Sequence, residues 1–81
     1  MTFGKQLVIL REKRKLTAAE ASRRMKINEA QLWNYEHEKL NPPKRYSAVL
    51  KMAEGLKLTQ DEIDYLADLA LQFHEQQFLN K

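Results

Sequence analysis

Apolar residues recur at three-and-four spacing from Phe3 to Phe73, and β-branched residues never cluster. That period is the signature of amphipathic helices, so an all-α chain is predicted. Three capping pairs mark where helices begin: Thr17 with Glu20, Asn28 with Gln31, and Thr59 with Glu62. In such a box the cap side chain accepts from an orphaned backbone N–H and the residue three positions on reaches back, and losing the cap costs about 1 kcal/mol.

The pattern predicts five helices. The first runs from Phe3 to Arg14 with Phe3, Leu7 and Leu10 inward. The second runs from Thr17 to Met25 and turns Ala21, Ser22 and Met25 inward, and the small residues among them let another helix approach. The third spans Asn28 to Lys39 and buries Leu32 and Tyr35. The fourth is expected to start at Pro42 or Pro43, because a first turn tolerates a missing N–H, and to end at Gly55 in the left-handed closing position. Its expected inward residues are Tyr46, Val49, Leu50 and Ala53. The fifth follows Thr59, carries Ile63, Leu66, Leu69, Ala70 and Phe73, and extends toward Phe78.

A chain of 81 residues supplies one core, so residues 1–81 read as a single domain, with a core at 3–58 and a fifth helix and tail at 59–81. Cysteine is absent, and His37 and His74 stand far apart without neighbouring ligands, so neither a metal nor a cofactor is expected. The longest apolar runs, such as Leu7 to Leu10, are too short for a membrane span or a secretory signal core, which points to a cytoplasmic protein with no membrane partner. No nucleophile has a plausible base, no carboxylate pair has catalytic spacing and no phosphate loop is present, so an enzyme is not expected.

The net charge of +3 is unevenly distributed. Residues 1–50 hold eleven Lys and Arg against five Glu, a net +6, whereas residues 51–81 hold three Lys against six acids, a net −3. A basic first part fits phosphate contact, and it equally fits solvated helix faces.

The second and third helices are the informative pair. Only Lys26 and Ile27 separate Met25 from the next cap, and so short a connection forces a sharp turn between two short helices. The chain here resembles the XRE, or lambda-repressor-like, family of helix-turn-helix domains found in phage repressors, Cro proteins and bacterial regulators. Phe3-Gly4-Lys5-Gln6-Leu7 through Leu10-Arg11 resembles the family's first helix, and Leu16-Thr17-Ala18-Ala19-Glu20-Ala21-Ser22 its second. Ile27-Asn28 through Tyr35-Glu36 is similar to the recognition helix, and Lys39-Leu40-Asn41-Pro42 to the loop after it. The resemblance covers residues 3–58 and implies a five-helix fold that binds double-stranded DNA as a transcriptional regulator.

Arg11 shares a stripe with Leu7 and Leu10, and Glu36 follows Leu32 by four, so both charges sit on faces that should turn inward. The resemblance implies an ion pair between helices one and three; the alternative is two charges exposed at helix rims. The family usually has glycine where this chain has Lys15 and Lys26, a departure costing roughly 1–2 kcal/mol per left-handed residue. It often has a backbone-clamping glutamine where this chain has Ala18, which leaves Thr17 and its helix N-terminus to face a phosphate.

The residues expected to read bases project from the early turns of the third helix: Glu29, Gln31, Trp33 and Asn34, beside Ala30. Each has an alternative use, since Glu29 suits the helix dipole, Gln31 its capping box, and Trp33 a protein surface. Thr17, Lys26, Asn28, Lys39, Asn41, Lys44 and Arg45 are the expected phosphate contacts; loop solubility is the alternative for the last four. Leu69, Phe73 and Phe78 at the end of the fifth helix suggest either a homodimer through that helix or a fold-back onto the first. A second class of function stays open, in which the fold serves as a protein-binding adaptor, antirepressor or inhibitor with Trp33 and Glu29 meeting a protein partner.

Overall fold

The computed structural model describes the backbone of residues 1–79 and the side chains of residues 1–77. Within them the chain forms α1 (Phe3–Lys13), α2 (Ala18–Met25), α3 (Glu29–Glu36), α4 (Tyr46–Leu56) and α5 (Gln60–Leu79), with no strand. Each of the first three helices begins at a side-chain cap: Thr2, Thr17 and Asn28 accept from the N–H three residues on. At α5 the N–H of Glu62 donates to the Thr59 hydroxyl, and the Glu62 carboxylate accepts from the N–H of Thr59.

The first four helices also end alike. Lys15, Lys26, Glu38 and Lys57 all take a left-handed backbone, with φ between 54° and 60°. The residue after each donates back across the last turn, Leu16 to Arg11, Ile27 to Ser22, Lys39 to Asn34 and Leu58 to Ala53. These are Schellman closures in which a charged residue occupies the position that glycine fills most cheaply. Leu16, Ile27 and Leu58 then fold onto the core, the apolar contact that usually accompanies the motif.

Three expectations are corrected. The third helix stops at Glu36 rather than Lys39, because Glu38 reverses the backbone and the N–H groups of Lys39 and Leu40 turn back to the Asn34 carbonyl. The fourth begins at Tyr46, not Pro42 or Pro43: the second proline disfavours a helical backbone at the first, and Pro42 is instead buried in an extended loop. It ends past Gly55, at Leu56, with Lys57 in the left-handed position. The later start leaves Tyr46 53 % exposed and Leu50 half-buried, while Met52 and Leu56 join Val49 and Ala53 inside.

One core gathers Phe3, Leu7 and Leu10 of α1, Ala21 and Met25 of α2, Leu32 and Tyr35 of α3, Val49, Met52 and Leu56 of α4, and Leu66, Leu69 and Ala70 of α5. Two glycines let the backbones meet. A β-carbon on Gly4 would collide with the Tyr35 carbonyl, which brings α1 onto α3, and one on Gly55 would collide with the Arg24 carbonyl, which brings α4 onto α2. Gly55 is therefore a close-packing residue, not a helix terminator. Leu69, expected to remain outward for a partner, is part of the core, and Phe73 is half-buried. Phe78 lies outside the side chains described.

Two ion-pair clusters tie the helices at their rims. Arg11 grips Glu36 with two bonds, Nε to Oε2 at 2.8 Å and Nη2 to Oε1 at 3.1 Å, and donates a third to the Leu16 carbonyl at 3.1 Å. Arg14 donates to Glu62 at 2.6 Å, with Lys13 nearby at 3.4 Å, joining α1 to the start of α5. No helix among the described residues is long and apolar enough to cross a membrane.

Candidate nucleic-acid interface

The turn between α2 and α3 consists of Lys26, Ile27 and the cap Asn28. Lys26 has φ 60° and ψ 39°, and this single left-handed residue reverses the chain. Ile27 packs inward while Lys26 and Asn28 stay exposed. The Asn28 Oδ1 accepts from the Gln31 N–H at 2.6 Å, so its carbonyl end is committed to starting α3. The second half of that box is not formed. Among the described residues the Gln31 side chain has no hydrogen-bond partner, which leaves its amide available for another.

Leu32 and Tyr35 point into the core and Glu36 is held by Arg11, which fixes the outward face of α3 by elimination. At 100° per residue that face centres on exposed Ala30, with Trp33 and His37 on one flank and Asn34 on the other. Glu29 is exposed at the helix N-terminus, while Gln31 and Asn34 are half-buried. An alanine between longer polar side chains gives the face a shallow centre.

Trp33 is not alone. Its indole, 49 % exposed, stacks on the His37 imidazole with ring centroids 3.9 Å apart and planes 14° from parallel. The His37 Nδ1 lies 2.9 Å from the Trp33 carbonyl, which can only accept, so Nδ1 carries the proton. The two rings form one pre-ordered unit. Sequence reasoning about base readers missed His37; its spacing of four from Trp33 was the available signal.

Thr17 is at the opposite end of α2 from the turn. It caps the far end of α2, an eight-residue helix about 12 Å long. Its hydroxyl accepts from the Glu20 N–H at 3.1 Å and donates to the Glu20 carboxylate at 3.0 Å. The Thr17 backbone N–H also donates to that carboxylate, and these two bonds hold the Glu20 carboxyl below its ordinary pKa. A negative charge thus already occupies the α2 N-terminus.

Lys39, Asn41, Lys44 and Arg45 are all exposed on the segment that leaves the C-terminal end of α3. Among the described residues none of these three cations enters a salt bridge, in contrast to Arg11, Lys13 and Arg14. Lys44 and Arg45 also border a groove of about 680 Å³ between this loop and α5, floored by Val49, Ala70 and Phe73. Across it lie Asp64 and Asp68 of α5. Among the described residues no cluster of His, Asp or Glu has metal-binding geometry.

Two helices joined by a left-handed turn, the second with an open polar face, define a helix-turn-helix. Residues 2–66 match a protein-family model described as "Helix-turn-helix domain", and the chain belongs to that family, which is of the XRE, lambda-repressor-like, DNA-binding type. Comparison with curated proteins and with solved structures gave no significant match.

Proposed function

We propose that this chain is a sequence-specific, cytoplasmic DNA-binding regulator of transcription, of phage, plasmid or bacterial type, that lays α3 in the major groove. The observation that carries this reading is the outward face of α3. Its inward side is saturated by the core and by Arg11, yet the outer side presents Gln31 and Asn34 with side-chain amides that find no partner among the described residues. Amides of this kind pair with adenine edges, Glu29 can accept from cytosine N4, and the Trp33 ring can meet a thymine methyl. Lys26, Lys39, Lys44 and Arg45, together with Asn28 and Asn41, supply phosphate contacts that set the register. Thr17 keeps only its place at the edge of this set, because its hydroxyl is spent on Glu20.

The unit of the proposal is one copy of the chain. With Leu69 buried, the large apolar side chains that α5 leaves exposed among the described residues are Tyr65 and Leu71, interspersed with Asp64, Asp68 and Glu75. Selection from random duplexes with the purified protein tests the whole reading, since an enriched motif demonstrates sequence recognition. Paired half-sites about 34 Å apart would add a dimer.

The exposed Trp33–His37 stack favours a second reading, a protein-binding adaptor or inhibitor built on the same fold. Aromatic rings of this kind are common anchors in protein interfaces. Steeply salt-dependent duplex binding supports the regulator, and salt-insensitive capture of one protein without duplex binding supports the adaptor.

A further inference from the structure

The loop between α3 and α4 carries the unpaired cations and has almost nothing of its own to hold it. Upstream it is fixed where the Leu40 N–H meets the Asn34 carbonyl, and downstream where the Arg45 carbonyl accepts from Ala48 and Val49. Between those points no backbone–backbone bond is made among the described residues. Pro42 and Pro43 have no N–H to offer. Among the described residues, the one hydrogen bond that reaches this stretch comes from α5: His74 Nε2 lies 2.7 Å from the Pro42 carbonyl. A carbonyl only accepts, so Nε2 must carry the proton. The imidazole meets the Phe73 ring edge-on at 5.2 Å, and Pro42 is buried beneath the loop.

His74 lies on α5 beyond residue 66, where the family match ends. We propose that His74 is a positioning residue for the DNA-facing loop, its Nε2–H latching the Pro42 carbonyl and so setting where Lys44 and Arg45 stand. The inference rests on the regulator reading for its functional consequence. Two prolines make the latch effective: with φ fixed at both, anchoring Pro42 leaves few backbone torsions between the latch and Lys44. An unlatched loop would carry the same charges without a fixed geometry, and ordering it on binding would cost conformational entropy.

The test has two independent readouts on the full chain. The first is amide order by NMR relaxation at Lys44 and Arg45. In His74→Ala these should fall from rigid values of about 0.85 toward about 0.6, while α4 beyond Val49 keeps its order. The second is binding to a short mixed-sequence duplex across a salt series. His74→Ala should weaken binding about fivefold and lower the salt slope by roughly one unit. His74→Gln, whose side-chain amide can donate from a similar position, should restore both. In a Lys44→Ala/Arg45→Ala background, His74→Ala should add nothing further. Unchanged loop order in His74→Ala overturns the latch, as does an undiminished effect on binding in the Lys44→Ala/Arg45→Ala background. If the parent protein shows no salt-dependent duplex binding, the regulator reading falls, while loop order still decides the latch. His74→Asn, which keeps polarity but cannot reach, replaces His74→Ala if that variant does not fold.

Discussion

A β-carbon on Gly55 would fall onto the carbonyl oxygen of Arg24, with the Arg24 carbonyl carbon and the Met25 Cα each 2.7 Å away. Backbone cannot rotate out of the way as a side chain can. Alanine in a helix interior normally gains about 0.5–1 kcal/mol over glycine, and overpacking costs about 1–3 kcal/mol. Against backbone the second effect wins, so Gly55→Ala should destabilise the fold by roughly 2 kcal/mol. Urea melting checks this beside Ser47→Ala on the exposed side of the same helix, which should change little.

Lys26 is the opposite case. Its left-handed backbone, at φ 60°, costs roughly 1–2 kcal/mol that glycine would not pay, less the extra freedom glycine gains when unfolded. Lys26→Gly should therefore stabilise by about 0.5–1 kcal/mol while weakening duplex binding if the ammonium meets a phosphate. Lys57→Gly, at φ 54° and outside the proposed contact set, should stabilise similarly and leave binding unaltered. Equal binding by the parent and Lys26→Gly would remove Lys26 from the interface.

These two residues also show which parts of the fold were legible. Helix starts were readable because the caps Thr17, Asn28 and Thr59 announce themselves chemically, and the core stripes of α1, α2 and α3 followed from period alone. The left-handed Lys15 and Lys26 were foreseeable from the family's glycines at those places, but the ends of α3 and α4 were hidden: Glu38 and Lys57 stand where glycine would have been the signal, and the one glycine near a helix end, Gly55, serves close packing instead. The prolines misled for a related reason: a first-turn proline and a loop proline look the same until the burial of Pro42 and its bond to His74 are known. In the site, the outward face of α3 followed from spacing. The stacking of Trp33 on His37 depends on rotamers that a sequence does not specify, as does the donation of the Thr17 hydroxyl to the Glu20 carboxylate, which goes beyond the capping box that the spacing announced.

The Arg11–Glu36 pair bridges α1 and α3 with side chains only 17 % and 5 % exposed. The hydrogen bond to Glu36 is the main cause of a raised Arg11 pKa, so the guanidinium stays charged throughout the accessible range. Removing one partner strands the other charge, and Glu36→Ala should cost about 3 kcal/mol. Replacing both, as Arg11→Met with Glu36→Leu, should cost less than the single change, because no uncompensated charge is left. Thermal melting of these two variants beside the parent decides it; a Glu36→Ala variant as stable as the parent would deny the pair any structural weight.

Glu62 carries a pH dependence of definite sign. The hydrogen bond from Arg14 leads, joined by the Thr59 N–H, the Arg14 charge and Lys13, and together they outweigh burial and lower its pKa from 4.5 to about 2. A carboxyl depressed by folding binds its proton more weakly in the native state than in the unfolded one. Its contribution is therefore complete above the unfolded value and is lost as pH falls from 4.5 toward about 2. Glu20 is shifted in the same direction. Melting temperature followed from neutral to acid pH should decline through this window, and Glu62→Gln should be less stable at neutral pH with a flatter acid limb. An acid limb unchanged by Glu62→Gln would assign the loss to other carboxylates.

The proposed interface divides into groups that position and groups that specify. Lys39, Lys44 and Arg45 are exposed and unpaired, so replacing any one with alanine should weaken all duplexes alike and reduce the salt slope by roughly one unit, leaving the preferred sequence unchanged. Gln31 and Asn34 offer amides with no partner among the described residues, and their replacement should alter preference at particular base pairs, at about 1–3 kcal/mol each. Glu29 separates two physical effects. As a cytosine reader its alanine variant loses discrimination, whereas as a repulsive neighbour of phosphate that variant binds every sequence more tightly. Trp33 adds a coupled case, since its ring is stacked on His37: His37→Ala should reproduce part of the Trp33→Ala phenotype if the two rings act as one unit. The measurement is a binding series across single-base variants of the selected site at fixed salt. Should Gln31→Ala and Asn34→Ala keep the parent's ranking of those variants, α3 does not read bases through its amides, and the exposed Trp33–His37 stack becomes the anchor of a protein interface instead.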